Sequence, residues 1–376
     1  MMEGSVYLSG DSSFLDDLNE YFRANYSNDS FEYGDDEGDV CDLKNSTMFE
    51  AVFLPTLYSL AFVIGVVGNG LLLGVLFQSR KSWSVTDTFI LHLAVSDVLL
   101  LLTLPLWASQ AASHDGWQFG TDLCKITGSV FTINFYSGIF LLACISVDRY
   151  LSIVHATQMY TRRKSWMVHM SCLLVWCLSI LLSIPDWIFL EETLDDRRSR
   201  KECTRKYSKY TQNAEDETLK MAARWLYHAV GFLFPSAVLV FCYSFILLQL
   251  QCGSHSLQKQ RAFKVIIAVV AVFFFCWTPY NVVLLADTFQ KSNNSMTCDT
   301  NSSLDKALTV TSSLGYLHCS LNPILYAFVG VKFRRQLLNI LRSMGCKLKT
   351  SMRLESFNRR SSIWSESGET SKSIAI

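Results

Sequence analysis

Residues 88–111 read TFILHLAVSDVLLLLTLPLWASQA, a run whose single formal charge, Asp97, lies near its middle. Coiled as an α-helix at about 1.5 Å per residue, such a run reaches about 36 Å, enough to cross the roughly 30 Å hydrocarbon core of a bilayer. An ionisable group at mid-bilayer costs about 2.5–3.5 kcal/mol on insertion scales, so Asp97 has to face the interior of a bundle and find partners there. Working outward, six further windows contain no Asp, Glu, Lys or Arg at all: 51–77, 126–147, 165–185, 225–250, 265–286 and 307–331. The seven windows, numbered spans 1–7 in chain order, predict an all-α membrane protein: a seven-transmembrane helix bundle with a short amphipathic eighth helix.

Half of the 376 residues are hydrophobic, and the net charge is zero. That zero is a cancellation between ends. The first 40 residues carry eleven acids against one base, Arg23, whereas the chain after Val331 is basic, with Lys332, Arg334, Arg335 and Arg342 closest to the last span. The amino-terminal stretch lacks an uninterrupted apolar core, so span 1 is expected to act as its own insertion signal. Short-loop Lys and Arg set orientation: Arg80 and Lys81, Arg162 to Lys164, and Lys259, Arg261 and Lys264 are placed in the cytosol, which puts the amino terminus outside a plasma membrane crossed several times. The expected organisation is an acidic, glycosylated extracellular tail over 1–48, the bundle over 49–330, an amphipathic inner-leaflet helix over 331–343 and a cytosolic Ser/Thr-rich tail over 344–376.

Two sets of residues agree with that orientation. Glycosylation sequons at Asn25, Asn28, Asn45, Asn293 and Asn301 all fall in the amino-terminal tail or between spans 6 and 7, on the outer side. Of twelve cysteines, Cys41, Cys124, Cys203 and Cys298 fall at outer positions, where an oxidising compartment permits disulfides. Four cysteines allow three pairings, and composition does not choose among them.

Polar residues inside the spans are few. Asn69, Asn134 and Asn322 are candidate neighbours of Asp97. An ionised carboxylate among amides suits a sodium ion or a water cluster, and equally suits a hydrogen-bonded polar core that only fixes helix packing. All six prolines, Pro55, Pro105, Pro185, Pro235, Pro279 and Pro323, lie within or at the edge of spans. Proline removes a helical hydrogen bond, so spans 5, 6 and 7 are expected to carry kinks that act as hinges.

At the inner end of span 3 the sequence reads DRYLSIVHA over 148–156. Together with Asn69, the LAVSD run ending at Asp97, Trp176, Pro235, the CWTPY run over 276–280 and the NPILY run over 322–326, it resembles the rhodopsin-like G-protein-coupled receptors across all seven spans. Thr103 and Pro105, His318 with Cys319, and the outer cysteine tetrad narrow the resemblance to the chemokine receptors. Ser152 stands where that family usually has Ala. Phe131, Asp186 and Ser312, the last where many relatives carry Glu, are most similar to the type 3 group of CXC receptors.

The resemblance implies roles. Disulfides are expected between Cys124 and Cys203 and between Cys41 and Cys298. Tyr21, Tyr26 and Tyr33, set among acids and open to sulfation, would meet basic CXC chemokines first, because opposite charge raises association rates. Tyr58, Trp107, Phe131, Asp186, Asp287, Ser312 and Tyr316 would line an outer cavity. Asp186 and Asp287 would be the cation partners there, or else solvated helix-end charges. Trp277 beside Pro279 would be the pivot, and Asn322, Pro323 and Tyr326 would switch with it. Asp148 would hold Arg149, beside Tyr150, until a heterotrimeric G protein of the inhibitory class takes the guanidinium, with Tyr243 and Tyr326 bracing the open state. Lys259 stands where some rhodopsin-like receptors have a locking acid. No cofactor is implied beyond a sodium ion at Asp97, Asn134 and Asn322. Membrane lipid would hold 331–343, Cys346 is a palmitoylation candidate, and the phosphorylated tail would recruit receptor kinases and arrestin.

Other classes fit less well. The two halves show no repeat of the kind transporters use. No HExxH or comparable cluster marks a membrane enzyme, and no nucleic-acid partner is expected. A light sensor would want a lysine deep in span 7, but Lys306 lies at its outer edge. A scavenging chemokine receptor without G-protein signalling is the nearest alternative, and the intact DRY triplet argues against it.

Overall fold

A computed structural model describes residues 44–80, 83–154, 165–195, 199–206, 213–252, 257–292, 298–329 and 331–343. The chain divides into units Met1–Cys41 and Asp42–Ile376, and all described residues belong to the second. Span 1 is α1 (Lys44–Gln78); span 2 is α2 (Val85–Leu101) with α3 (Leu104–Ala112); span 3 is α4 (Gly120–Ile153). Span 4 is α5 (Ser165–Leu182) with α6 (Ile184–Phe189), followed by a hairpin of β1 (Leu190–Asp195) and β2 (Arg200–Arg205). Span 5 is α7 (Asn213–Leu226), a π-helical segment (Tyr227–Leu233) and α8 (Phe234–Cys252). Span 6 is α9 (Leu257–Ser292), span 7 is α10 (Cys298–Val329), and α11 (Val331–Ser343) follows.

Six of these spans are long and apolar enough to cross a bilayer by composition alone. Span 7 is more polar, and its surroundings explain how it can be. It packs against spans 1, 2 and 6, and its hydroxyls bond to their own backbone: Thr309 to the Asp305 carbonyl, Thr311 to Ala307, and Ser313 to Thr309. Elsewhere the usual soluble pattern is inverted. Val63, Val67, Leu174, Val240 and Phe241 are exposed, whereas Asn69, Ser96, Asp97 and Asn134 are buried, as a bundle solvated by lipid requires.

The prolines set the breaks. Pro105 and Pro185 each open the second helix of a divided span. Each is preceded two residues earlier by a hydroxyl that donates back: Thr103 to the Leu100 carbonyl (2.7 Å) and Ser183 to the Ile180 carbonyl (2.7 Å). The π segment stands just before Pro235. There the Phe234 N–H reaches back five residues, to the Ala229 carbonyl, a register that takes the proline ring off the carbonyl it would otherwise strike. Within the π segment Gly231 lets span 5 close on span 3, since a Cβ there would sit 2.6 Å from the Phe135 ring and 2.8 Å from Tyr136. Pro323 strips the Cys319 carbonyl of its helical donor, and the buried Asn69 side chain supplies a replacement N–H at 2.9 Å. Gly68 makes room for that proline, because a Cβ at 68 would lie 2.7 Å from its Cγ.

On the outer side the structure adds an element absent from an all-α expectation. The β1–β2 hairpin pairs Leu190 with Arg205 through to Asp195 with Arg200. The connection from span 2 to span 3 joins its edge: the Trp117 N–H donates to the Lys201 carbonyl (2.8 Å) and the Lys201 N–H to the Asp115 carbonyl (3.2 Å). Gly116 is required there. Its φ is +74°, and a Cβ would fall 2.0 Å from the Lys201 carbonyl oxygen. Trp117 is fully buried among Cys124, Leu190 and Cys203. The disulfide joins Cys124 to Cys203 and so ties the hairpin to span 3. The charged stretch ahead of the charge-free window of span 5 is helical from Asn213 onward.

Candidate functional site

A cavity of about 210 Å³ opens among the outer halves of spans 3 to 6, with Phe131, Tyr136, Asp186, Arg205, Lys220, Arg224, Tyr227 and Tyr280 in its wall. The π segment places Tyr227, whose ring stacks on Phe135 with centroids 4.5 Å apart. Asp186 and Asp287 are both buried, which removes the solvated alternative for each. Asp186 accepts hydrogen bonds from the Thr132 hydroxyl and from Nε of Arg205, at the end of β2. Asp287 accepts from Arg224 Nη1 at 2.6 Å, and the same nitrogen lies 3.1 Å from the Thr288 hydroxyl. A carboxylate buried this deeply needs such a partner. Both acids expected to await a ligand's cation are therefore held by arginines of the same chain. Nearer the surface Glu192 accepts from the Gly120 N–H (3.1 Å) and from Lys201 Nζ (2.7 Å), and this hydrogen bond and charge push the Lys201 ammonium above its ordinary range.

Of the seven residues expected to line the cavity, Phe131 and Asp186 do so. Tyr58 and Tyr316 form an aromatic column beside it. Tyr58 meets Tyr316 edge-on at 5.2 Å, Tyr316 meets Phe131 at 4.8 Å, and the Tyr58 hydroxyl lies 3.3 Å from Ser313 Oγ. Ser312 bonds to the Thr309 carbonyl within its own helix, and Trp107 packs on Trp117 at 5.3 Å. Trp277 closes the floor, fully buried, with Phe131 at 5.5 Å, Phe135 at 4.7 Å and His318 at 5.6 Å. Gly315 admits the indole, since a Cβ there would touch it at 3.1 Å. One turn along from Trp277, past Pro279, Asn281 Nδ2 donates to the Trp277 carbonyl at 2.9 Å.

Below the floor lies a polar core. Asp97 accepts from Asn134 Nδ2 (3.2 Å) and Asn322 Nδ2 (2.8 Å), and His318 Nε2 stands 3.6 Å from it. Asn134 also donates to Ser96, whose hydroxyl is 2.7 Å from that of Ser137. Cys319 Sγ lies 3.7 Å from the Asn134 amide oxygen. Asn69, expected beside Asp97, turns its amide to the Cys319 and Gly65 carbonyls instead, because Pro323 creates the greater need there. His318 and Cys319 take the vacant flank, two residues that the sequence marked as a motif without a place. The hard donors present, the Asp97 carboxylate and the Asn134 amide oxygen, fit a sodium ion.

At the inner end Asp148 is buried, and its carboxylate lies 3.5 Å from the Arg149 guanidinium. Arg149 also bonds to the Thr86 hydroxyl of span 2. Tyr150 packs on Phe241 at 5.6 Å, Tyr243 holds a contact of 2.9 Å with Ser146, and Tyr326 is buried in the main core. Tyr21, Tyr26, Tyr33, Asn25, Asn28, Cys41, Asn293 and Cys346 lie outside the described residues, as do the side chains of Asn45, Lys259, Cys298 and Asn301.

Arg205, Arg224, Tyr136 and Tyr227 were missed from sequence. Arg224 carried a signal, being the base that borders the charge-free window of span 5; Arg205, in a loop of mixed charge, carried none.

Residues 68–326 match the family described as 7 transmembrane receptor (rhodopsin family). The chain is 46% identical over 354 residues to C-X-C chemokine receptor type 3 of Bos taurus, covering 92% of this chain and 94% of that protein. It is 45% identical over 352 residues to the type 3 receptor of Homo sapiens, covering 92% and 93%. With C-X-C chemokine receptor type 2 of Homo sapiens it shares 43% identity over 323 residues, 86% of each chain.

Proposed function

The chain belongs to the rhodopsin family of seven-transmembrane receptors and, within it, to the C-X-C chemokine receptors, and from that premise we propose that it binds CXC chemokines and signals through a G protein of the inhibitory class to drive directed cell migration. It is a multi-pass plasma-membrane receptor and not an enzyme. One observation carries the reading. Side chains in contact run from the cavity wall toward the inner face, buried from Trp277 downward: Phe131 to Trp277, Trp277 to His318, His318 to Asp97, and Asp97 to Asn322 beside Pro323. Such a column, ending where Pro323 interrupts the hydrogen-bond ladder of span 7, would let a displacement at the cavity reach the inner ends of spans 6 and 7.

In this reading the acidic tail with Tyr21, Tyr26 and Tyr33 makes first contact, and the chemokine's end then enters the cavity. Asp148 restrains Arg149 until spans 3 and 6 part, after which the guanidinium is offered to the G protein and Tyr243 and Tyr326 brace it. Asp97 and Asn134, with Asn322 beside them, would hold a sodium ion, which supplies a removable charge between spans 2, 3 and 7. Receptor kinases and arrestin act on the serine-rich tail.

The test is a panel of CXC chemokines scored for binding and for suppression of cyclic AMP, with Arg149→Ala as control. Binding with suppression that the substitution abolishes is expected. Binding without suppression in the unaltered receptor would leave a scavenger, and no binding across the panel would end the proposal.

A further inference from the structure

In the cavity wall stands Arg224, not Asp287. The acid lies behind it, and one guanidinium nitrogen of Arg224 serves both Asp287 Oδ2 (2.6 Å) and the Thr288 hydroxyl (3.1 Å). Arg224 is on the last turn of α7 in span 5, and its two partners are near the outer end of span 6. The bond therefore joins spans 5 and 6 at their outer ends. Beside it Trp225 and Phe289, both exposed, meet edge-to-face with centroids 5.8 Å apart. The π segment begins three residues after Arg224, at Tyr227, and interrupts the α-helical bond pattern of span 5; such a segment is where a helix absorbs rotation.

A basic group entering the cavity finds Arg224, not Asp287, in the wall. It can reach Asp287 only by taking that carboxylate from the arginine, since one buried acid does not balance two cations. Once displaced, Arg224 faces the entering cation across a small cavity, and repulsion between the two moves it outward with its helix. We propose that Arg224 is a built-in occupant of the site for the ligand's cation, and that its displacement from Asp287 parts the outer ends of spans 5 and 6. The proposal rests on the reading of the chain as a receptor for basic protein ligands. It assigns Arg224 a role in specificity: it sets how strong a cation must be to open the receptor.

The test uses the full chain in lipid nanodiscs with a trifluoromethyl phenylalanine in place of Phe289, read by fluorine resonance. Arg224→Met and Asp287→Asn are each expected to move the resonance, and the exchanged pair Arg224→Asp with Asp287→Arg to keep it. Argininamide should drive the unaltered receptor toward the Arg224→Met position, while its uncharged counterpart citrullinamide should not. Arg224→Met should bind argininamide about tenfold more tightly, the weight of one charge-assisted hydrogen bond no longer competed for. Should that variant fail to fold, Arg224→Lys, whose shorter side chain holds its ammonium farther from Asp287, is expected to bind argininamide more tightly than the unaltered receptor. An unmoved resonance, or equal action of the two amides, overturns the proposal whatever the chemokine panel gives. A silent panel with these responses intact sinks only the receptor reading.

Discussion

Two regions of this bundle bury carboxylates, and they neutralise them differently. In the outer half of the bundle Asp186, in the cavity wall, and Asp287, behind it, are met by whole guanidinium ions that reach in from the hairpin and from span 5. In the mid-bundle core Asp97 is met by amides and an imidazole that are themselves buried. A charge balanced by an arginine from another element can be rebalanced by a competing cation, so the outer pairs are exchangeable contacts between moving parts. A charge solvated by several buried side chains on spans 3 and 7 is fixed in place. Under the proposed function, the contrast gives ligand sensing to one region and cohesion to the other.

The largest expected effect tests the outer pairs. Arg205 is 47% exposed while Asp186 is 3% exposed, so the two partners are not equivalent. Arg205→Ala leaves a buried, unbalanced carboxylate and should destabilise the ligand-free receptor by about 3 kcal/mol. Asp186→Asn leaves an arginine that can turn to water, and should cost about 1 kcal/mol or less. Thermal unfolding in nanodiscs ranks them, and equal losses would break the asymmetry. Next comes the seam between spans 1 and 7. Asn69→Leu orphans the Cys319 carbonyl and should cost about 2 kcal/mol. Adding Pro323→Ala restores a main-chain N–H for that carbonyl, so the double variant should recover most of the loss; additive losses would show that Asn69 does something else.

Smaller effects sharpen the core. Asp97→Asn should change stability by about 1 kcal/mol at most, because removing a buried charge offsets the weaker bonds. It should also abolish any dependence of chemokine affinity on sodium concentration, checked by binding in sodium against a large organic cation. Lys259→Glu is expected to have the smallest effect, lowering ligand-free signalling about twofold through an added exposed ion pair with Arg149; unchanged basal signalling would argue that Thr86 already suffices.

How much of this could be read from the sequence depended on contrast with the background. Charge-free windows announced the spans, and a lone Asp97 or Asn134 stood out inside them, so the core's main members were readable. Which way a polar residue faces was not: Asn69 lies in the same apolar setting, but the carbonyl freed by Pro323 claims it. Arg224 escaped notice because a charge at the mouth of a span is ordinary, and Arg205 because it stands in a stretch of mixed charge; only folding brings them to Asp287 and Asp186. Trp117 was invisible for a similar reason, since a loop aromatic has no periodicity to betray that a disulfide and a hairpin close over it.

In the proposed function the outer cavity and Arg149 at the inner face are two ends of one linked system, and linkage is reciprocal. Chemokine affinity of the receptor in nanodiscs should rise about tenfold on addition of a nucleotide-free G protein, fall back with guanine nucleotide, and show no such shift in Arg149→Ala. An affinity in the unaltered receptor that is the same with and without the G protein would contradict the account.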